Sequence, residues 1–524
     1  MKKWSIIAAG LLATASAFGT DYYLSPTGSD RNDGLSEKHA LATLGSAQKK
    51  VKAGDVVYIL PGTYQVKETE ISREESSGPY KIVFDMSKSG TYGQPISYRG
   101  VADENGQRPV FDLSEVNPTG YRVTAFLVSG SYLELSNFEV IGVQVNRTDH
   151  TQSENIRVTN GSHNTFENIA CHDGKGIGFY LTKNSAYNLF VNCDGYNNYD
   201  PIGGTDVGDT PGGNNDGFGC HVYENCPNNI FIGCRAWNNS DDGYDLINCY
   251  SPVTFCYSFA YRNGYDADNK SRGDGNGFKA GGYGMGKAVT LPATGAPRHE
   301  VHHCIAASNK SNGIYSNHHL GGVWFHHNTS YRNSRYNYNL VNREGPGEEE
   351  TVDTDGYGHT IEYNLSLTDT GKDLHVTWLN GYDGQNTISN NSFYWSNRGT
   401  RGGWANTAIG NSMFESSKVA DIMAAREADG TLSAQTLAFM KQKAELGYGC
   451  EFSGYQDAID EMRGLSGVGS RESGDRSQET GVWSQQLPLV TTRKDNHYYD
   501  LQGRLAIAPQ AGIFIHDGRK IIIR

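Results

Sequence analysis

The sequence predicts an all-β chain, a right-handed parallel β-helix solenoid with a C-terminal helical cap segment and a small C-terminal β-rich tail module. Three observations predict it. The segments Phe190-Val-Asn-Cys-Asp-Gly-Tyr-Asn-Asn198, Phe231-Ile-Gly-Cys-Arg-Ala-Trp-Asn-Asn239 and Phe325-His-His-Asn-Thr-Ser-Tyr-Arg-Asn333 share one pattern, with looser copies from Phe166, Phe255 and Val301. Their matching positions Ile169, Cys193, Cys234, Ser258, Cys304 and Asn328 are separated by 24, 41, 24, 46 and 24 residues, a period near 24 with two insertions. A short alternating strand cannot bury its apolar face alone, so copies of this length must stack. Asn recurs at 198, 239, 263, 309 and 333, where it tolerates left-handed backbone and bonds the same amide one rung away. Gly makes up 64 of 524 residues, about 12% against roughly 7% in an ordinary chain, which suits turns and disfavours a helical bundle.

The elements follow in order. Lys2 and Lys3, an apolar run from Ile6 to Ala13 and Ala15-Ser16-Ala17 form the pattern of a secretory leader over residues 1–19; the run is too short to cross a bilayer. The solenoid domain occupies 20–464. Tyr22 to Gly34 is turn-rich and Ala53-Gly-Asp-Val-Val-Tyr-Ile-Leu-Pro-Gly-Thr-Tyr64 reads as a strand entering a turn, together the first rungs and their cap. Over about 416–463 the spacing of Val419, Ile422, Met423, Leu437, Met440 and Leu446, broken at Asp429-Gly430, turns helical and predicts a solenoid cap. A polar linker spans 465–482, and 483–524 forms a strand-rich tail that resembles the C-terminal sorting tails of secreted Bacteroidetes-type enzymes, on Tyr499-Asp-Leu-Gln-Gly-Arg504 and Gly512-Ile-Phe-Ile-His-Asp-Gly-Arg-Lys-Ile-Ile-Ile-Arg524. Export makes the nine Cys, eight of them between Cys171 and Cys304, eligible for disulfides. No Cys-x-x-Cys pair occurs, which argues against structural zinc. A net charge of −13 supplies no basic field for nucleic acid and repels an acidic substrate unless a cation intervenes. A capped solenoid is complete as a monomer.

A second register runs through the repeats: Asp216-Gly-Phe-Gly219, Asp242-Gly-Tyr-Asp245, Asn276-Gly-Phe-Lys279 and Asn312-Gly-Ile-Tyr315. Stacking Phe218, Tyr244, Phe278 and Ile314 sets Asp216 beside Asp242 and Asp245 beside Lys279, on rungs about 4.8 Å apart. With Asp241 this gathers four carboxylates, which must hold protons or share a cation. Hard oxygen donors without His or Cys favour Ca2+. A single Asp-Gly usually serves a turn; three acids within Ser240-Asp-Asp-Gly-Tyr-Asp245 exceed what a turn needs. Lys279 answers either as an ion-pair partner of Asp245 or as a base, and the second role requires it to lose its proton. A cation would neutralise the carboxylate of a uronic acid polymer and so acidify the C5 proton, which a lysine base then removes with loss of the C4 leaving group. Arg298, His319 and Arg335 follow the lysine rung as candidate substrate contacts. The pairs His302-His303 and His326-His327 occupy matching strand starts and read as stacked repeat positions.

Asn215-Asp-Gly-Phe-Gly219, Ser240-Asp-Asp-Gly-Tyr-Asp245 and Gly275-Asn-Gly-Phe-Lys-Ala-Gly-Gly282, in that order, resemble polysaccharide lyase family 9. The likeness covers about Tyr22 to Arg463. It implies calcium-dependent cleavage of a pectic backbone, polygalacturonate or rhamnogalacturonan I, with Asp216, Asp241, Asp242 and Asp245 on calcium and Lys279 as base. Gly281-Gly-Tyr-Gly-Met285, Ser316-Asn-His-His-Leu-Gly-Gly322 and Ala425-Arg-Glu-Ala-Asp-Gly430 resemble the rhamnogalacturonan-cleaving members more. Two rivals stand beside it. A β-helix glycoside hydrolase would use Asp241 and Asp242 as its paired carboxylates, but the Asn-Thr-Asp, Gly-His-Gly and Arg-Ile-Lys motifs of the pectin hydrolases are absent. A non-catalytic carbohydrate-binding solenoid would leave Lys279 dispensable.

Overall fold

Strands of two to eight residues, too short to hold a sheet alone, are stacked here like upon like. The structure, a computed structural model, describes residues 19–76, 78–283, 295–343, 353–354, 358–368, 376–377, 386–395, 403–405 and 408–466, together with four short strands between 498 and 523. Three sheets of twelve, ten and eleven strands run the length of the solenoid. One turn of the chain visits each in order. Gly176–Lys183 lies in the third sheet, Leu189–Val191 in the first, Asp194–Tyr196 in the second, and Phe218–Val222 is back in the third. The pairings are parallel, apart from the short Arg73–Glu74 edge on Tyr80–Met86.

The predicted repeat register is the observed one. Glu167, Val191, Ile232, Cys256, His302 and His326 pair in succession, so the column from Ile169 to Asn328 two residues on is a physical column. Aromatic rings stack along its interior: Phe166, Phe190 and Phe231 at 4.5 and 4.7 Å, and Phe179, Phe218, Tyr244 and Phe278 at 4.8, 4.9 and 4.5 Å. The Asn ladder is present too. The Nδ2 of Asn198 donates to Oδ1 of Asn239, that of Asn239 to Asn263, Asn263 to Asn309 and Asn309 to Asn333, at 2.9 to 3.1 Å. It explains the Gly in every Asp/Asn-Gly-aromatic triplet: a Cβ on Gly243 would sit 2.8 Å from Asn263 Nδ2 and 2.6 Å from the Gly277 carbonyl.

The corner from first to second sheet takes two residues, the first held in left-handed backbone: Asn168, Asn192, Gly233, Tyr257, His303 and His327 have φ of 50, 55, 66, 49, 50 and 53°. The first insertion and part of the second enter at another corner, between second and third sheets, where residues 197–217 and 262–277 lead into Phe218–Val222 and Phe278–Lys279; the rest of the second falls in 280–299, between third and first. Residues 197–217 and 262–277 therefore border the starts of the third-sheet strands that hold the acids.

The C-terminal segment departs from expectation. Over 416–463 only Val419–Met423, Ala434–Ala438 and a helix Tyr455–Ser466 that begins within it are helical. The segment does not close the end of the solenoid. Ile422, Leu432, Phe439, Met440, Tyr455 and Ile459 pack on Val191, Ile232, Trp237, Phe259 and Leu365, residues from successive rungs, so it lies along the flank. A buried clamp fixes it: Asp194 accepts from Arg235 (2.9 and 2.7 Å) and from Arg426 (3.0 and 2.6 Å), and both arginines, against the cost of burial, hold its carboxyl well below the usual range. Arg426 of the Ala425–Gly430 motif is thus a strut. All nine cysteines are buried and unpaired; stacked as interior fillers, several give their Sγ–H to carbonyls, as Cys193 does to Phe166 at 3.4 Å. A second unit, 469–524, contains Tyr498–Tyr499, Leu505–Ala506, Gly512–His516 and Arg519–Ile523 in one antiparallel sheet. The leader up to residue 18, most of the linker, and residues 284 and 285 of the Gly281–Met285 motif lie outside the described residues.

Candidate active site

The third sheet places the site. Phe218 pairs with Tyr244, Tyr244 with Phe278 and Phe278 with Ile314, which sets Gly219, Asp245, Lys279 and Tyr315 side by side on four rungs. Because side chains alternate along a strand, the aromatic residue enters the core while its neighbour faces outward. Asp216 and Asp242, two residues before the aromatic, form the adjoining column, which continues as Asn276 and Asn312.

In that column each acid spends one oxygen on the next rung. Asp216 Oδ1 accepts from the Asp242 amide at 3.0 Å, and Asp242 Oδ1 accepts from the Asn276 amide and Nδ2 at 2.5 and 2.9 Å. Asp241 Oδ1 takes the Asp274 amide at 2.7 Å, and Asp245 Oδ1 takes that of Ile247 at 2.7 Å. The second oxygens remain. Asp216, Asp242 and Asp245 bring one carboxylate oxygen each within 4.8 Å of the others, all three residues buried; Asp241 shares Asp242 with the exposed Asp274 in a second such group. Lys279 Nζ lies 3.1 Å from Asp242 Oδ2, 3.3 Å from Asp245 Oδ2 and 3.8 Å from Asp274 Oδ2. Asp242 Oδ2 sits off the hydrogen-bonding directions of that ammonium, so this fully buried oxygen has no hydrogen bond.

Such a cluster is poorly satisfied on its own. Burial first, then the neighbouring acids, pushes Asp216 and Asp241 well above the carboxylate range; burial and Asp245, opposed by Lys279, take Asp242 up to about 6. Burial alone would depress Lys279, but Asp242 and Asp245 outweigh it and hold the ammonium well above its ordinary value. A divalent ion fits the residues present: the donors are hard oxygens, they converge, and one is buried without a partner. The three carboxylates bring three oxygens together, so the 6 to 8 that Ca2+ takes would be completed by their other oxygens, water or substrate.

The other predicted residues divide. Arg335 is exposed at the start of Tyr336–Asn339, its amide on the Ser311 carbonyl at 2.9 Å; it occupies Asp241's column three rungs on, about 14 Å along the same face. Arg298 is exposed near the corner into the first sheet and donates to Thr360. His319 is fully buried, its Nε2 2.9 Å from the Pro297 carbonyl and its ring against His299, so it props that corner and does not face a substrate. Two features escaped the sequence reading. Asp274 belongs to an insertion, where no period marks it, although Gly273-Asp274-Gly275 shares the rung of Lys279. Tyr315, one rung beyond the lysine, places its hydroxyl 2.6 Å from His318 Nε2.

A family model described as Pel9A-like, right handed beta helix region, matches residues 22–359. Pectate lyase L of Dickeya dadantii (strain 3937) is 34% identical over 350 residues, 66% of this chain and 71% of its own. Among solved structures, one of a rhamnogalacturonan lyase superposes with a TM-score of 0.72 at 42% identity, covering 82% of this chain and 100% of its own. That of pectate lyase Pel9A gives 0.60 at 28%, covering 82% and 91%.

Proposed function

The chain belongs to the Pel9A-like right-handed β-helix family and is a polysaccharide lyase, and from that premise we propose that it cleaves the rhamnogalacturonan I backbone of pectin by calcium-dependent β-elimination. The observation that carries the proposal is Lys279 Nζ at 3.1 and 3.3 Å from two acids of a buried carboxylate cluster on the outer face of one sheet. Rhamnogalacturonan I is favoured over polygalacturonate because identity to the rhamnogalacturonan lyase is higher, 42% over its whole length, than the 34% to pectate lyase L.

Asp216, Asp242 and Asp245, with Asp241 beside them, would hold Ca2+. The ion, when bound, neutralises these acids and the galacturonate carboxylate, acidifying C5. Once Asp242 and Asp245 give their charge to a ligand, the force holding the proton on Lys279 is relieved and burial then favours the neutral amine. That amine takes the C5 proton, the electron pair of the C5–H bond becomes the C4–C5 double bond, and the C4–O bond breaks with its electrons on the leaving sugar. Asp274, 3.8 Å from Nζ and exposed, offers a path for the proton to solvent. Arg335, farther along the same face, holds a substrate carboxylate, and Arg298 does so at the corner.

The reading also places the protein, as a monomer, outside the cytoplasm or on the cell surface, by its leader and tail; no helix among the described residues is long and apolar enough to cross a membrane. The test is the ultraviolet absorbance of the new conjugated double bond on rhamnogalacturonan I and on polygalacturonate, each with calcium and with chelator. A calcium-dependent rise on the first alone is expected. A rise on polygalacturonate alone reassigns the polymer; new reducing ends without absorbance turn the chemistry to hydrolysis.

A further inference from the structure

On the strand that follows the lysine's, in the first sheet, and on the one stacked next to it, four imidazoles meet. His302 ends the first-sheet strand Glu300–His302 and His326 ends Trp324–His326, the next strand along; His303 and His327 follow each at the left-handed corner. The rings stack rung upon rung, His302 on His326 and His303 on His327, both at 4.8 Å and within 2° of parallel. Stacking explains the rings. It does not explain the nitrogens.

Within each rung the two Nδ1 atoms face one another, at 2.9 Å for His302 and His303 and 3.1 Å for His326 and His327. Earlier rungs put Asn168, Asn192, Gly233 and Tyr257 at the corner position that His303 and His327 take, and Tyr257 continues the ring stack onto His303 at 4.8 Å. Glu300 Oε1 lies 2.9 Å from His326 Nε2. A carboxylate there fixes the ring with its proton on Nε2 and leaves Nδ1 as a lone pair aimed at its neighbour, the outer-shell arrangement that orients metal-binding histidines. One donor atom from each of His302, His303 and His326 lies within 4.8 Å of the others. A tetrahedral ion at about 2.1 Å from each nitrogen asks for donor separations of about 3.4 Å, so the His302–His303 pair would open from 2.9 Å and the His326 ring would tilt toward them. The group is half-buried, open enough for an ion to enter. Imidazole donors suit zinc, copper or nickel and not calcium.

We propose that His302, His303 and His326, with Glu300 behind His326, form a second metal site that takes one zinc-type divalent ion and ties two rungs of the first sheet together. It is independent of the acidic cluster in position and in donor chemistry.

Full-length protein freed of transition metals, with calcium kept in excess to occupy the acids, is titrated calorimetrically with zinc chloride beside the double variant His302→Phe/His326→Phe. Phenylalanine keeps the ring stacks and removes the nitrogens. The wild type is expected to bind one equivalent, and the variant to bind it at least roughly 100-fold more weakly, while circular dichroism and a cooperative melt show that the variant is folded. Zinc is also expected to raise the melting temperature of the wild type alone. Absence of a stoichiometric equivalent on the wild type overturns the proposal, as does equal uptake by the folded variant. A misfolded variant leaves the wild-type titration and its melting shift to decide. Elimination measured separately in calcium separates failure of this site from failure of the lyase reading.

Discussion

Two columns of repeated side chains run along this solenoid in the same way, and they differ by one atom. In the ladder from Asn198 to Asn333 each amide accepts on Oδ1 and donates from Nδ2, both to the next asparagine and to a backbone carbonyl, as Asn263 does to Asn309 and Ala236. The column Asp216, Asp242, Asn276, Asn312 uses Oδ1 as an acceptor too, with the opposite polarity: Oδ1 of Asp216, Asp242 and Asn276 takes a bond from the following rung, where the ladder takes it from the preceding one. Its first two members carry oxygen where the ladder carries nitrogen. An acid has no hydrogen to pass on, so the chain of bonds stops and Asp242 Oδ2 is left buried without a hydrogen bond, facing the Lys279 ammonium at 3.1 Å. The site is a structural ladder left incomplete, and the incompleteness is what a cation would repair.

The largest test of that contrast is Lys279→Ala. Removal of the base should lower kcat by about 10³-fold, while calorimetry shows calcium binding retained; unchanged turnover would make the lysine a mere ion-pair partner. Asp242→Asn should complete the ladder. It is expected to raise the calcium needed for half-maximal rate by about 100-fold, yet to stabilise the chelated protein by about 1–2 kcal/mol in denaturant melts, since a charge that burial and Asp245 disfavour is removed. The same variant has a pH signature. With Asp242 at about 6 in the fold against about 3.9 unfolded, the folded state binds more protons between those values. The contribution of Asp242 to the stability of chelated wild type is therefore full below about pH 4 and is lost as the pH rises through 6; the variant should lose that part of the slope, and calcium should abolish it.

On the satisfied side, Asn263→Ala leaves the acids untouched but takes one bond from Asn309 Oδ1 and one from Asn239 Nδ2, and leaves the backbone N–H of Asn239 without its acceptor. It should cost about 2 kcal/mol in thermal or denaturant melts with kcat unchanged. Arg335→Ala, at the exposed end of the face, should raise KM a few-fold and leave kcat alone, the loss of one charge-assisted contact.

Much of this was legible in the residues, for a physical reason: in a solenoid, position in sequence modulo the rung is position in space. The gap of 24 aligned Ile169 with Cys193 because the turn at the Asn192 corner has no room to vary, and the Gly-aromatic pair aligned Asp245 with Lys279 across an insertion. Legibility ended where periodicity ended. Asp274 sits in an insertion and has no counterpart on other rungs. The segment from Ser416 onward has apolar residues at helical spacing, but its contacts are dictated by outward-facing aromatic and aliphatic side chains of several rungs that it buries, such as Trp237 and Phe259, and by Asp194, which no local pattern links to Arg426. His319 carries a polar name into a buried corner. The cysteines, eligible for bridges by number, fill interior columns where thiols bond to carbonyls.

Those nine buried thiols have a use as a built-in clock. They are distributed from Cys171 to Cys304 along consecutive rungs, with Cys450 under the flanking segment, and burial first of all pushes most of them well above the ordinary thiol range. A thiol in that state is inert to alkylation until its own rung opens. The order in which an alkylating reagent marks them therefore records which end of the solenoid unzips first, with no label added to the protein.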